Sequence, residues 1–231
     1  MLDYIEEEKK ELNKNISEIR NEMKNQISPD LEEKIKKFAL KFGLSEKLIK
    51  YKVLNDDLFI LCFIKEPNRQ SFHQKLAANY IKNISGIINF ELLPAGGGNA
   101  LYIISGQLQT GKNITTSRKP KSIDFYWKFK TKQNGLIEFY ATHKYTKEGG
   151  GAQDNQFNDI KSFLDNAQYY NKNDKFFIAI CDGAYYNESS YSQNNITYNN
   201  KIDYLEITYC GTNKRTKVLN INQLEDFLKT L

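Results

Sequence analysis

The sequence predicts an α/β fold, a mixed central sheet flanked by helices, with a helical N-terminal region in front of it. Three observations predict this. Residues 1–57 carry apolar residues at helical spacing between capping residues. Residues 58–231 alternate helical stretches with short β-branched and aromatic runs. Asn134-Gly135 lies between two such runs, the strongest short-range sign of a hairpin. A chain of 231 residues suits one domain with a small annex and can bury a core without disulfide or metal staples.

Residues 1–27 read as one amphipathic helix. Ile5, Leu12 and Ile19 recur every seven residues, and Leu2, Ile16 and Met23 form the companion series. The stripe suits a helix lying on the body of the protein or a dimerisation helix. Ser28-Pro29-Asp30 starts a second helix, with Ser as N-cap and Pro at the first helical position. Gly43 stops it, and Ser45 caps a third through about Lys50. Leu58–Ile64 (LFILCFI) reads as a buried strand leading to a turn at Glu66-Pro67-Asn68.

Residues 70–85 read as a helix with Phe72, Leu76, Tyr80 and Ile84 on one face. Strands follow at Ile87–Leu92 and Ala100–Ser105, separated by the loop Pro94–Gly98. Ser122–Lys130 and Leu136–Tyr145 form the hairpin. A helix over about 153–168 buries Phe157, Ile160, Phe163 or Leu164, and Ala167, and Phe176–Cys181 is a continuous apolar run, as in a strand covered on both faces. Residues 184–200 form a polar tract rich in Tyr, Asn, Ser and Gln. Strands near 203–209 and 216–221 precede a last helix, with Asn222 and Glu225 as a capping box. The middle of the chain thus orders as α-β-β-β-α-β.

Composition narrows the function. With 33 Lys+Arg against 28 Asp+Glu, the charge of +5 permits a polyanionic partner without demanding one. Three Cys with no C-x-x-C spacing argue against a zinc site or disulfide framework and suit a reducing cytosol. Two His argue against multi-His metal centres. No apolar run approaches the ~20 residues of a membrane span, and the alternately charged N-terminus is no signal peptide. The expectation is a cytoplasmic protein without a membrane partner.

Gly106–Asn113 (GQLQTGKN) nearly matches a phosphate-binding loop, but Asn113 stands where a hydroxyl would hold magnesium and no helix pattern follows. The hairpin is more informative. Asp124 sits on its first strand and Lys144 on its second. Metal-dependent phosphodiester cleavage needs a carboxylate to hold a divalent cation and a lysine beside it to position water and offset phosphate charge. A two-residue loop at Asn134-Gly135 sets Asp124 opposite Tyr145, sharing a face with His143. A three-residue loop, Gln133–Gly135, sets it opposite Lys144, with Thr142 on the same face. Glu138 precedes Lys144 by six residues, roughly 20 Å along a strand, and reaches the pair only through a bulge.

The element order, with KSIDFYW, HKYTKEGGGAQDNQFNDI, FFIAICDGAYY and RQSFHQKLAANYI as its blocks, resembles the PD-(D/E)XK nuclease core of many type II restriction endonucleases. The resemblance spans about residues 67–190. It implies a nuclease-like αβββαβ core, and with it domains at 1–57 (a dimerisation or DNA-contacting annex) and 58–231 (catalytic). The implied activity is magnesium-dependent hydrolysis of double-stranded DNA at a short specific sequence, by a homodimer in a restriction-modification system. By position Asp124 takes the metal and Lys144 assists the attacking water. "PD" reads Ile123-Asp124 here, and Thr142 stands where the family has its second acid. Glu91, Glu148 or a displaced Glu138 is then the remaining acid, Glu91 foremost, with Gln74 on the helix that gives a glutamate in some of these enzymes.

Thr142 and His143 flank the site. Asp124 is otherwise a structural ion pair with Lys144 or Arg118. Gln153, Asn155 and Gln156 either open a helix or touch DNA, and Tyr185 and Asn187 begin a tract suited to base contacts. Lys128 and Lys130 line a phosphate track or a solvated sheet face. The alternative function is a DNA-binding protein that keeps a nuclease-like core without catalysis.

Overall fold

A computed structural model describes residues 1–64, 70–114, 120–187, 190–211 and 215–231. The predicted turn at Glu66–Asn68 and the Arg118 partner for Asp124 lie outside them. The chain divides into two compact units, Asp3–Phe72 and, with Met1 and Leu2, His73–Leu231.

The first unit is helical. Asp3 caps α1 (Tyr4–Lys24) by accepting from the backbone N–H groups of Ile5 and Glu6. Ser28 caps α2 (Pro29–Phe42), which ends on Gly43 in the left-handed conformation, φ +63°. Ser45 caps α3 (Glu46–Asn55). The second half of the α1 stripe, Ile16, Ile19 and Met23, packs on the unit's own core of Leu31, Ile35, Ile49, Val53, Ile60 and Phe63, while Ile5 is exposed. Leu58–Ile64 is not a strand. Phe59–Cys62 form a 3₁₀ turn that drives Ile60 and Phe63 into this core. The segment therefore belongs to the helical unit, and the division falls at residue 72 instead of 57.

The second unit is a mixed α/β fold. It runs α4 (Gln70–Lys82), β1 (Ile87–Leu92), β2 (Leu101–Ile104), β3 (Gln107–Thr110), β4 (Phe125–Lys130), β5 (Leu136–Tyr145), α5 (Gly151–Ala167) and β6 (Lys175–Asp182). Then come α6 (Ala184–Asn187), β7 (Tyr191–Gln193), β8 (Ile196–Tyr198), α7 (Lys201–Leu205) with a π turn over Glu206–Cys210, β9 (Thr216–Leu219) and α8 (Ile221–Lys229). The central sheet has the order β1-β4-β5-β6-β9. The β1–β4 and β4–β5 pairs are antiparallel; β5–β6 and β6–β9 are parallel. A tight turn joins β4 to β5, whereas the parallel step to β6 needs the α5 crossover.

Alternation gives the sheet two apolar faces. On one, Phe157, Ile160, Phe163 and Leu164 of α5 cluster with Tyr140, Phe177, Ala179, Cys181 and Val218. On the other, Trp127, Phe139 and Phe176 stack across three neighbouring strands, with centroids 5.2 and 5.1 Å apart and planes within 6°. Phe227 of α8 meets Phe176, and His73 of α4 meets Tyr145.

Gly106–Asn113 supplies the β2–β3 turn and β3 itself. Two further expectations change. Residues 203–209 are helical, because the Asn200 side chain accepts the Asp203 backbone N–H and so caps α7. The capping box of α8 is formed by Asn220 and Gln223, two residues ahead of Asn222 and Glu225. The polar tract folds in part into a β7–β8 hairpin closed by Asn194 and Asn195, both at positive φ as a primed turn requires. No helix among the described residues is long and apolar enough to cross a membrane.

Candidate active site

The β4–β5 turn sets the site's register. Thr131 and Gly135 pair across it, Asn134 takes the left-handed conformation (φ +60°), and the Thr131 hydroxyl accepts the Gly135 N–H. The three-residue loop is therefore Lys132–Asn134. Neither predicted register holds. Phe125 pairs with Ala141, so Asp124, one residue ahead of β4, stands opposite Thr142 instead of Lys144 or Tyr145. Asp124, Thr142 and Lys144 share the α5 face.

Asp124 is 2 % exposed. An unpaired charge there would carry a large desolvation penalty, and three donors answer it. Its Oδ2 accepts from the Thr142 hydroxyl and from the His143 backbone N–H, both at 2.9 Å. Its Oδ1 accepts from the Lys121 ammonium at 2.8 Å. Lys144 is buried to 8 % exposure, and its ammonium reaches Asp159 of α5 at 3.1 Å. One turn earlier on α5, Gln156 accepts from Thr146 at 3.1 Å. The face thus holds two carboxylates and two ammonium groups with a hydroxyl between them.

His143 leaves the site. It points to the opposite face, where its Nε2 lies 3.1 Å from Asp182 Oδ2. The other oxygen of Asp182 accepts the Ile221 N–H at 2.8 Å and so holds the start of α8. Past Asp182 the chain turns at Gly183 (φ +97°), where a Cβ would come within 2.1 Å of the Thr146 carbonyl.

Glu91 is not assembled with Asp124. It is exposed and pairs with Tyr126, whereas Leu93 is level with Asp124 and donates to its carbonyl at 2.9 Å. Glu148 is also exposed. The β4–β5 ladder has no bulge, so Glu138 stays opposite Lys128, bonded to Tyr126, Tyr140 and Lys175. Gln74 is half-buried on α4.

Of the expected DNA-contacting residues, Asn155 is exposed and Gln153 half-buried on the first turn of α5, Asn187 is exposed and bonded to the Gly183 carbonyl, and Lys130 is exposed at the end of β4. Three are already engaged. Tyr185 is 3 % exposed, with its hydroxyl on Asp154 and Lys201 over its ring. Gln156 holds Thr146, and Lys128 faces Glu138 at 3.8 Å.

Sequence reading missed Lys121, Asp159 and Asp182 as partners. Lys121 precedes Asp124 by three residues outside any regular element, and no spacing rule pairs such positions.

The donor chemistry can be tested against a magnesium ion. Among the described residues, no group of three or more His, Cys, Asp or Glu side chains is placed to hold a metal. Asp124 nevertheless already holds a cation, the Lys121 ammonium, on Oδ1. Magnesium is commonly bound by one or two carboxylates, with water and substrate phosphate completing its shell. One buried carboxylate beside a hydroxyl fits that mode.

No family model, curated protein or solved structure matches the chain.

Proposed function

We propose that the protein is a magnesium-dependent nuclease of the PD-(D/E)XK kind, a type II restriction endonuclease that hydrolyses double-stranded DNA at a short specific sequence. One observation carries the reading. Asp124, Thr142 and Lys144 lie on one face of two antiparallel strands, and the second strand continues through a helix into a parallel strand. That order, and the places of Asp124 and Lys144 in it, agree with what the resemblance implies, with Thr142 in place of the second acid.

Asp124 would hold the metal, with Thr142 and the His143 N–H fixing its second oxygen. Bound magnesium would neutralise charge on the scissile phosphate and activate water. Lys144, released from the half-exposed Asp159 carboxylate, offsets phosphate charge and orients the attacking water. Asn155 and Gln153 on the first turn of α5, together with the exposed tip of the β7–β8 hairpin, supply groups for base and phosphate contacts. The enzyme acts in the cytoplasm as a homodimer, one subunit for each strand.

Incubation with unmethylated phage DNA, with magnesium or with EDTA, tests this on a gel. Discrete bands appear only with magnesium. Asp124→Asn abolishes them, and Lys144→Met slows cutting by about 10²-fold or more. A second reading, a DNA-binding protein without catalysis, draws on the neutral Thr142 and the lysine already seated on Asp124. Binding that falls steeply with salt, with no cutting on several DNAs, would replace the first reading by the second.

A further inference from the structure

We infer that Lys121 is the resident counter-cation of Asp124, and that it gives up this seat to the metal only when a DNA phosphate draws it away. The free protein then binds divalent cations weakly and acquires them together with its substrate. The inference rests on the nuclease reading above.

The contacts of Asp124 are unequal in their freedom. Two of its donors are fixed to the sheet: the His143 backbone N–H and the short Thr142 side chain, both on Oδ2. The third is the tip of a long side chain, and it sits on Oδ1. A cation entering this buried carboxylate therefore meets the Lys121 ammonium first, and both cannot occupy Oδ1.

The backbone beside Lys121 is tied to the fold, whereas its ammonium is held by side chains, Asp124 at 2.8 Å and the Ser122 hydroxyl at 3.5 Å. Ser122 donates to the Ala95 carbonyl at 2.9 Å, and the Ile123 N–H donates to the Leu101 carbonyl at 2.8 Å. These bonds anchor the two residues between Lys121 and Asp124. The Lys121 side chain keeps 18 % of its surface exposed against 2 % for Asp124. It can turn outward without breaking a sheet hydrogen bond.

A phosphodiester arriving at this face offers the ammonium another anion. The transfer would free Oδ1 for a divalent cation while the phosphate is at hand. In the free protein the carboxylate faces an ammonium; in the complex it would face the metal, and the ammonium would face phosphate.

Manganese, a paramagnetic substitute for magnesium, is titrated into the free wild-type protein, Lys121→Met, Lys121→Gln and the double variant Lys121→Met/Asp124→Asn, with free ion read by electron paramagnetic resonance. Near-ultraviolet circular dichroism verifies folding, and Lys121→Gln serves if Lys121→Met does not fold. The wild type binds weakly. Removing the competing charge tightens binding by about tenfold or more, and the double variant loses the gain. Equal affinity of the wild type and both Lys121 variants overturns the exchange, as does a gain that survives in the double variant. If DNA is still cut with magnesium in those cases, the nuclease reading stands and only the role of Lys121 falls.

Discussion

At the residue scale, the two acids of the hairpin face illustrate how position sets chemistry. Asp124 is shielded and answered by three donors, one of them the Lys121 ammonium, whereas Glu138 is locked into a structural cluster. Burial pushes the Glu138 carboxyl up, but the Lys175 ammonium at 2.6 Å and the phenols of Tyr140 and Tyr126 outweigh it, leaving its pKa lowered. In return, burial and the Glu138 charge push the Tyr126 phenol up to about 12. A carboxyl with a lowered folded-state pKa contributes stability above its unfolded value and loses it as the pH falls through the folded value. The difference in urea midpoint between wild type and Glu138→Gln is therefore largest near neutrality. It begins to shrink near ~4.3, the unfolded glutamate value, and closes below the folded one. A difference that stays constant down to strong acid would deny the cluster its ionic character. The same pairing explains why Glu138, the more conspicuous acid in the sequence, is not the partner of Lys144. Six residues of strand separate them, and that separation was readable from the chain. The seat taken by Lys121 was not, because it depends on how an irregular segment lies against the sheet.

At the scale of elements, the sequence was most legible where a local rule had one solution. Ser28, Pro29, Gly43 and Ser45 bound their helices as their chemistry demands, and the run Phe176–Cys181 is the covered strand its composition predicts. It was least legible where two frames satisfy the same rule. The run Leu58–Ile64 is apolar enough for a strand, but so short a run does not distinguish a strand from a buried helical turn. The hairpin shows the consequence for function. Asn134 and Gly135 can both adopt positive φ, and choosing Asn134 instead of Gly135 as the left-handed residue moves Asp124 from Lys144 to Thr142. The choice is testable. Asn134→Gly leaves stability close to the wild-type value, whereas Asn134→Val costs about 1–2 kcal/mol, since a β-branched residue is strained in the left-handed region. Denaturation midpoints measure both. Equal tolerance of the two would mean that the turn uses another frame.

At the scale of the whole molecule, the two faces of the sheet divide the work. One face carries the carboxylates and ammonium groups beside α5; the other carries the aromatic stack, His143 with Asp182, and α8. The thiols follow burial too. Cys62 is exposed, whereas Cys181 and Cys210 are enclosed, and burial raises the Cys210 thiol to about 12 and the Cys181 thiol well above its ordinary value. A thiol reagent therefore modifies Cys62 in the native protein and reaches the other two only on unfolding; rapid native labelling at Cys181, located by mass spectrometry, would contradict the enclosed β6 strand. The chain has a single tryptophan, and it is Trp127, clasped between strands on the face away from the charged residues. Excited at the red edge, where tyrosine does not absorb, its emission reports cooperative loss of the sheet and stays nearly silent when ions or polyanions arrive on the other side. The molecule thus carries a built-in optical gauge of its integrity that is insulated from its chemistry.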